Sequence, residues 1–199
     1  MKKVILGRTE ESISVISLGA WSHGKHNTNS GASVGWSNQS DQNSKDALLE
    51  SFSLGINHWD TADVYGDGHS EKIIGSMWNE ISRNNIFLAT KVGWDKGPNK
   101  YWYNSDYIRT KMEQSLKNLK TDCVDLFYLH HCNFGKKDEF LEGAIEQLIR
   151  FKEEGKTRFI GLSDWSASRI MKYIDIVDPD VVQPLYNVYD IEYEISGLK

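Results

Sequence analysis

The chain has 199 residues, of which 39% are hydrophobic and 26% are charged, and its net charge is -5. This composition is typical of a globular domain, and the acidic balance argues against a nucleic-acid-binding face. No stretch approaches the length of a membrane-spanning segment and the N-terminus lacks a signal-peptide core, so we expect a cytoplasmic protein with no membrane partner.

Short apolar runs alternate with longer amphipathic segments along the chain. Residues 3–17 predict a β-hairpin, because two short apolar runs flank a polar turn. The apolar runs that follow predict six β-strands, which are VISLGAW (15–21), INHWDT (56–61), IFLATKV (86–92), DLFYLHH (125–131), TRFIGLS (157–163) and VVQPLYN (181–187).

Helices are predicted between these strands. Apolar residues at helical spacing place them at 43–54, 70–81, 105–119, 138–153 and 166–175. The third helix is expected to begin at Ser105 or Asp106, either of which suits an N-cap. Gly55 and Gly155 follow the first and fourth helices and are typical stop residues.

The order of the elements predicts an α/β protein with a parallel sheet that is buried on both faces. An open doubly wound sheet would need a GxGxxG turn after its first strand, which this chain lacks. We therefore predict a (β/α)8 TIM-barrel type, incomplete, with about six of the eight βα units and an N-terminal β-hairpin. Residues 1–199 are expected to form one barrel domain whose C-terminal part is missing. Its open sheet edges predict self-association.

The candidate catalytic residues lie where predicted strands end, as in barrel enzymes. Asp60, Lys91 and His130 end the second, third and fourth strands, and Tyr65 follows Asp60 on a glycine-rich loop. An ammonium group lowers the pKa of a neighbouring phenol, a carboxylate holds the lysine in place, and a histidine hydrogen bond stabilises a developing alkoxide. The set predicts a proton donor for a carbonyl group that receives hydride, and hydride requires a nicotinamide cofactor.

Several motifs resemble those of the aldo-keto reductase family. They are DTADVYGDGHSEKIIG (60–75), IFLATKVG (86–93), VDLFYLHH (124–131), GKTRFIGLSDWSASRI (155–170) and VVQPLYN (181–187). The resemblance extends over nearly all of the chain and is nearest to the bacterial sugar- and aryl-alcohol-type reductases, beside the potassium-channel β-subunits. It implies a (β/α)8 barrel that reduces aldehydes and ketones with NADPH.

The resemblance also implies individual roles. Tyr65 would be the general acid, Lys91 would modulate its pKa, Asp60 would pair with Lys91, and His130 would orient the carbonyl group. Cofactor contacts would come from Asp60 and from the positions at the first, fifth and sixth strand ends, which are Trp21, Ser163, Asp164 and Gln183.

Two departures from the family pattern are visible in the sequence. Asp164 stands where the family commonly has asparagine, and an ionised carboxylate cannot donate a hydrogen bond to a carboxamide oxygen. The seventh and eighth family units, which carry much of the cofactor cradle, have no counterpart here. The chain is therefore expected to be part of a longer reductase or a gene fragment, truncated after the sixth strand.

Other interpretations of single residues stay open. His130 and His131 could hold a metal, but adjacent strand residues face opposite sides and no ligand cluster completes a site, so none is predicted. Asp60 and Glu71 could form a glycosidase pair, although Glu71 also suits the first turn of a helix.

The remaining alternatives concern packing. Ser163 could merely cap a helix, and Trp21 and Trp94 could be core aromatics rather than substrate contacts. Cys123 and Cys132 flank a predicted strand and would lie too far apart for a disulfide, so we expect free thiols.

Two classes of function remain. The first is an NADPH-dependent carbonyl reductase acting on a small-molecule substrate. The second is a non-catalytic binding or regulatory protein, or an inactive remnant, on the same scaffold. Retention of Tyr65, Lys91 and His130 favours the first class, whereas the missing units favour impaired activity.

Overall fold

The computed structural model describes residues 1–25, 28–29, 32–33, 36 and 39–198. Within them the strands are β1 (Lys3–Ile5), β2 (Ser12–Ser14), β3 (Leu18–Gly19), β4 (Thr28–Asn29), β5 (Ala32–Ser33), β6 (His58–Asp60), β7 (Phe87–Val92), β8 (Val124–Leu129), β9 (Thr157–Asp164) and β10 (Val181–Pro184). The α-helices are α1 (Asp41–Ser53), α2 (His69–Gly75), α3 (Ser105–Leu119), α4 (Leu141–Glu153), α5 (Ala167–Val177) and α6 (Glu192–Ile195). The predicted alternation of strands and helices is confirmed.

Six strands form one sheet in the order β10-β9-β8-β7-β6-β3, and every pairing within it is parallel. The side chains of Gln183 on β10 and Asp60 on β6 are joined by a hydrogen bond of 3.2 Å. In a flat sheet, four strand spacings of about 4.8 Å would separate these two strands by about 19 Å. The sheet therefore curls, as the prediction of an incomplete barrel requires.

The predicted N-terminal hairpin is present and closes one end of the curled sheet. Strands β1 and β2 pair antiparallel, and Ile13 on β2 packs into a buried cluster with residues of the inner sheet face, including Phe87 and Tyr128. The backbone N–H of Ser14 donates to the Asn57 side chain, just ahead of β6, at 2.7 Å. The hairpin therefore covers the amino ends of the strands and leaves the carboxyl ends for a site.

The helices cover the outer face of the sheet and bury the larger core. Ile108 and Met112 of α3 lie on the predicted apolar face and are fully buried. The cap of α3 differs from the prediction of Ser105 or Asp106, because the side chain of Asn104 accepts the N–H of Tyr107 at 3.1 Å. An Asx side chain immediately before the first helical residue satisfies an N–H that has no partner within the helix.

Some element boundaries differ from the predicted ones. Helix α2 ends at Gly75 rather than at residue 81. At Gly75 the chain passes so close to the Asn118 carbonyl oxygen that a Cβ atom would collide with it. Strand β10 ends at Pro184 rather than at residue 187. The N–H of Leu185 still donates to the Asp164 carbonyl oxygen at 3.2 Å, and the chain then turns between Asn187 and Asp190. The first parallel strand, β3, keeps only Leu18–Gly19 of the predicted seven residues and lies at the sheet edge.

In the described part of the chain, no helix has both the length and the apolar character needed to cross a membrane. Cys123 and Cys132 are free thiols, and burial raises the pKa of Cys132 to about 12, which keeps it in the unreactive thiol form.

Candidate active site

Polar side chains from neighbouring strands meet at the carboxyl rim of the sheet. Asp60 is the last residue of β6, Lys91 is the penultimate residue of β7, and His130 directly follows β8. On the other side of the curl, Ser163 of β9 pairs in register with Gln183 of β10. The curvature of the sheet turns these separate strand ends into one site.

Lys91 and Asp60 form a buried ion pair at the centre of the rim. Lys91 is 1% exposed, and its Nζ donates to Asp60 Oδ1 and to the carbonyl oxygen of Thr61, the latter at 2.9 Å. Asp60 Oδ2 accepts from Gln183 Nε2. A buried ammonium group is tolerated only with a charged partner and further acceptors, so this pair fixes Lys91 as a cation.

Tyr65 reaches the ion pair from a tight loop after β6. Lys91 Nζ lies 5.3 Å from the centroid of the Tyr65 ring. Gly66 has a φ of +62°, and a Cβ atom there would overlap the carbonyl oxygen of Gly24. The N–H of Ser70 at the start of α2 donates to the Tyr65 carbonyl at 3.2 Å. The glycine serves this backbone geometry, which aims the phenol at Lys91.

Opposing effects set the pKa values of the two groups. Burial raises the pKa of Tyr65 above its ordinary value, and Lys91 acts in the lowering direction without reversing that effect. Burial acts to lower the pKa of Lys91, but Asp60 and Tyr65 outweigh it and leave this pKa raised. The expected net lowering of the Tyr65 pKa is therefore not observed, because apolar neighbours, including Trp94, desolvate the phenolate. Tyr65 carries its proton at neutral pH.

His130 lies beside Tyr65 as a neutral imidazole. The two rings meet edge-on with centroids 5.7 Å apart, and Trp94 contacts the His130 ring at 6.2 Å. Burial, followed by the nearby charge of Lys91, lowers the pKa of His130 well below its usual range. Its Nδ1 is buried and has no hydrogen-bond partner among the described residues. A neutral imidazole at this position can donate one hydrogen bond to a carbonyl oxygen beside Tyr65.

The donor set at the ends of β9 and β10 matches a primary carboxamide such as that of nicotinamide. Ser163 Oγ donates to the Gln183 carbonyl oxygen at 3.2 Å, and the Gln183 amide reaches Asp60. A hydroxyl and a side-chain amide can each donate and accept, which suits both ends of a carboxamide. These residues therefore fit the cofactor group that the sequence implies.

Two other predicted cofactor residues have different surroundings. Both oxygens of Asp164 accept backbone N–H groups, Oδ2 from Cys132 at 2.7 Å and Oδ1 from Ser166 at 2.9 Å. Its carboxylate thus joins the loops that follow β8 and β9. Trp21 is half-buried, and its ring packs edge-on against Trp36 at 6.2 Å.

The alternative chemistries find little support in the geometry. Glu71 is fully buried, and its two oxygens accept from Thr90 Oγ1 at 2.8 Å and from Asn118 Nδ2 at 3.0 Å. These hydrogen bonds give Glu71 a structural role and do not favour a glycosidase pair with Asp60. Among the residues that the structure describes, no group of three or more His, Cys, Asp or Glu side chains could hold a metal ion.

A second buried ion pair, between Asp63 and Lys111, supports the Tyr65 loop and was not predicted from the sequence. Asp63 is 3% exposed, and its Oδ2 lies 3.3 Å from Lys111 Nζ, which also contacts Asp95 at 3.0 Å. Burial raises the pKa of Asp63 to about 7, against the lowering effect of Lys111. The position of Asp63 within DTADVYG, three residues after Asp60, was the one sign in the sequence that this carboxylate lies near the site. Its partner could not be predicted, because Lys111 on α3 lies 48 residues away in the sequence.

An open cavity of about 370 Å³ adjoins the rim on the side of α5. Trp94, which contacts His130, also forms part of its wall, together with Trp102, Trp165 and Arg169. Tyr65 and His130 do not line this cavity, so it lies beside the candidate proton-transfer groups rather than around them.

Comparisons with known proteins identify the family. The model of the "Aldo/keto reductase family" matches residues 15–196. The "Aldo-keto reductase yakc" of Schizosaccharomyces pombe, whose name includes NADP(+), is 35% identical over 160 residues, which cover 78% of this chain and 46% of that protein. A protein of Oryza sativa subsp. japonica named "Probable voltage-gated potassium channel subunit beta" is 31% identical over 194 residues, or 92% of this chain and 55% of that one.

A solved structure is similar as well. The holo form of an aldo-keto reductase from Bacillus halodurans superimposes with a TM-score of 0.77 at 28% identity, covering 98% of this chain and 61% of that protein. The chain thus spans about half the length of the curated relatives it matches.

Proposed function

The chain belongs to the aldo/keto reductase family, and from this premise we propose that its rim site reduces aldehydes and ketones to alcohols with NADPH. The observation that carries the proposal is the buried Asp60–Lys91 pair beneath Tyr65, with His130 edge-on to the phenol. This arrangement places a proton donor, a fixed positive charge and a neutral hydrogen-bond donor around one point.

Each residue has a distinct task in the proposed reaction. His130 donates a hydrogen bond to the substrate carbonyl oxygen and orients it toward Tyr65. Tyr65 transfers its phenolic proton to that oxygen as negative charge develops there. Lys91, held cationic by Asp60, stabilises the phenolate that results. The raised pKa of free Tyr65 keeps the proton in place until a substrate accepts it.

The cofactor is part of the proposal. NADPH, when bound, supplies the hydride that no side chain can provide. Ser163 and Gln183 would hold its carboxamide, and Asp164, whose carboxylate joins two loops, would contribute to the same pocket. The NADP(+) in the name of the Schizosaccharomyces pombe relative supports NADPH, whereas an Escherichia coli relative, 29% identical, is named "NADH-specific methylglyoxal reductase", so both cofactors belong in the test.

The test combines binding and turnover. NADPH and NADH binding would be followed by tryptophan fluorescence, and NADPH oxidation with 4-nitrobenzaldehyde by absorbance. We expect turnover, and a loss of about hundredfold or more in Tyr65→Phe, the size of a general-acid contribution. Tyr128→Phe is the matched control, because this buried tyrosine also lies near Lys91, with its ring centroid 6.0 Å from Nζ.

A regulatory role on the same scaffold is the second candidate, favoured by the similarity to the rice channel-subunit protein. NADPH binding without turnover of any aldehyde would support that role and refute the reductase. Equal turnover by wild type and Tyr65→Phe would refute the assignment of Tyr65.

A further inference from the structure

The ring of His131, which follows His130, connects two strand ends. Its Nε2 lies 2.7 Å from the carbonyl oxygen of Gly93, and its Nδ1 lies 3.1 Å from the backbone nitrogen of Asn133. A carbonyl oxygen can only accept and a backbone N–H can only donate, so Nε2 carries the proton and Nδ1 is the acceptor. His131 is 4% exposed, and burial lowers its pKa to about 4, which keeps this neutral form at physiological pH.

Tyr103 secures the backbone of the same residue. Its hydroxyl donates to the His131 carbonyl oxygen at 2.5 Å and accepts the His131 N–H at 3.0 Å. Tyr103 is 1% exposed, and its hydroxyl comes so close to Gly93 that a Cβ atom there would collide with it. Gly93, Tyr103 and His131 thus form one closed joint, held by three hydrogen bonds.

The joint lies next to two groups of the proposed active site. Gly93 is two residues beyond Lys91, and His131 is one residue beyond His130. The last rung between the two strands is the bond of 2.8 Å from the His130 N–H to the Val92 carbonyl oxygen. Beyond that rung, the His131 ring continues the connection between the two chain segments.

The His130 ring depends on this support. Its contacts with Tyr65 and Trp94 are edge-on ring contacts, and its Nδ1 has no hydrogen-bond partner in the described part of the chain. Its orientation is therefore set by the backbone at residues 130–131 and by the neighbouring rings of Tyr65 and Trp94. The His131 ring packs edge-on against Trp94 as well, at 4.7 Å, so the joint fixes both the backbone and the Trp94 ring.

We propose that Tyr103 and His131 are positioning residues that hold His130 at the distance from Lys91 and Tyr65 that proton transfer requires. The proposal rests on the proposed reductase function and gives a role to Tyr103, which is buried, and to His131, which also forms part of the wall of the open cavity. It predicts that loss of the Tyr103 hydroxyl disturbs His130 more than it disturbs the fold.

The test compares Tyr103→Phe with Tyr107→Phe. Both variants lose one hydroxyl in the same region, but that of Tyr107 donates to Asp95 at 2.7 Å, outside the joint. In protein with ¹⁵N-labelled histidine, assigned with His130→Asn, we expect the His130 and His131 ring signals to move in Tyr103→Phe only. Turnover should fall about tenfold to hundredfold in Tyr103→Phe, as misplacements near 1 Å do, with an unchanged Kd for NADPH.

A second pair of variants separates positioning from folding. His131→Gln can still donate to Gly93, whereas His131→Phe keeps only the ring packing, so we expect partial turnover in the first and a loss in the second. In a Tyr65→Phe background, Tyr103→Phe should cause no further loss, because both residues serve one step.

The outcomes separate this proposal from the proposed function. If the wild type reduces no carbonyl, the reductase function fails, and the histidine signals alone still decide the joint. Unmoved His130 signals in Tyr103→Phe would overturn the proposal, as would equal losses of turnover in the Tyr103 and Tyr107 variants.

Discussion

Replacing Gly66 with alanine tests why the loop that carries Tyr65 contains glycine. The change adds one methyl group at a position where φ is +62° and where the new Cβ atom would overlap the carbonyl oxygen of Gly24. Both obstacles are backbone features, so a side-chain rotation cannot relieve them. The loop must move, and Tyr65 with it.

Two contributions set the size of the expected effect. A left-handed φ costs an L-residue about 1–2 kcal/mol, and overpacking costs about 1–3 kcal/mol, so we expect Gly66→Ala to lower the free energy of unfolding by about 2–5 kcal/mol. Gly155→Ala is the matched control, because Gly155 has a φ of +71° but no atom within 4 Å of a new Cβ. The entropy that alanine removes from the unfolded chain is common to both variants and cancels in the comparison.

Urea denaturation followed by tryptophan fluorescence would measure both variants. Gly155→Ala should show the φ penalty alone, and Gly66→Ala should lose at least about 1 kcal/mol more, the lower end of the overpacking cost. NADPH-dependent turnover should fall in Gly66→Ala and stay unchanged in Gly155→Ala. Equal stabilities of the two variants would refute the argument that the approach of Gly24 demands glycine.

Three further predictions concern charge and edges. Asp164→Asn should destabilise the protein by about 2 kcal/mol, because an amide nitrogen cannot accept the N–H of Cys132 or Ser166 and one donor is stranded. Asp63→Asn should flatten the pH dependence of stability. With a folded pKa of about 7, Asp63 keeps a proton that the unfolded chain releases above about pH 4, so its contribution to stability falls as pH rises toward 7. Strands β3 and β10 end the sheet, and we expect their open edges to give concentration-dependent self-association in sedimentation velocity.

Asp175→Asn, on the exposed face of α5, is the control for Asp164→Asn and should change the free energy of unfolding by less than about 0.5 kcal/mol. If Asp164→Asn has an effect as small as that of Asp175→Asn, the bridging role of Asp164 is contradicted. Parallel stability curves of wild type and Asp63→Asn between pH 4 and 8 would contradict the raised pKa. Sedimentation coefficients that do not change with concentration would contradict the edge argument.

Most of the secondary structure could be predicted from the local sequence pattern. The spacing of apolar residues predicted α3 with its exact bounds, and it located the six strands of the sheet to within a few residues. It also predicted that Asp60, Lys91 and His130 end their strands; Asp60 does so, whereas β7 continues one residue past Lys91 and β8 ends one residue before His130. These features could be predicted because periodicity and strand ends depend on residues that are near one another in the sequence.

The tertiary structure decided what depends on distant neighbours. The curl of the sheet brings Gln183 to Asp60 across 123 residues, and no local pattern specifies that contact. Burial by residues from several elements reversed the expected direction of the Tyr65 pKa, since desolvation outweighs one adjacent ammonium group. The hydrogen bonds of Asp164 and of His131 likewise join loops that follow different strands. The sequence shows that these side chains are present, but it does not predict which groups they contact.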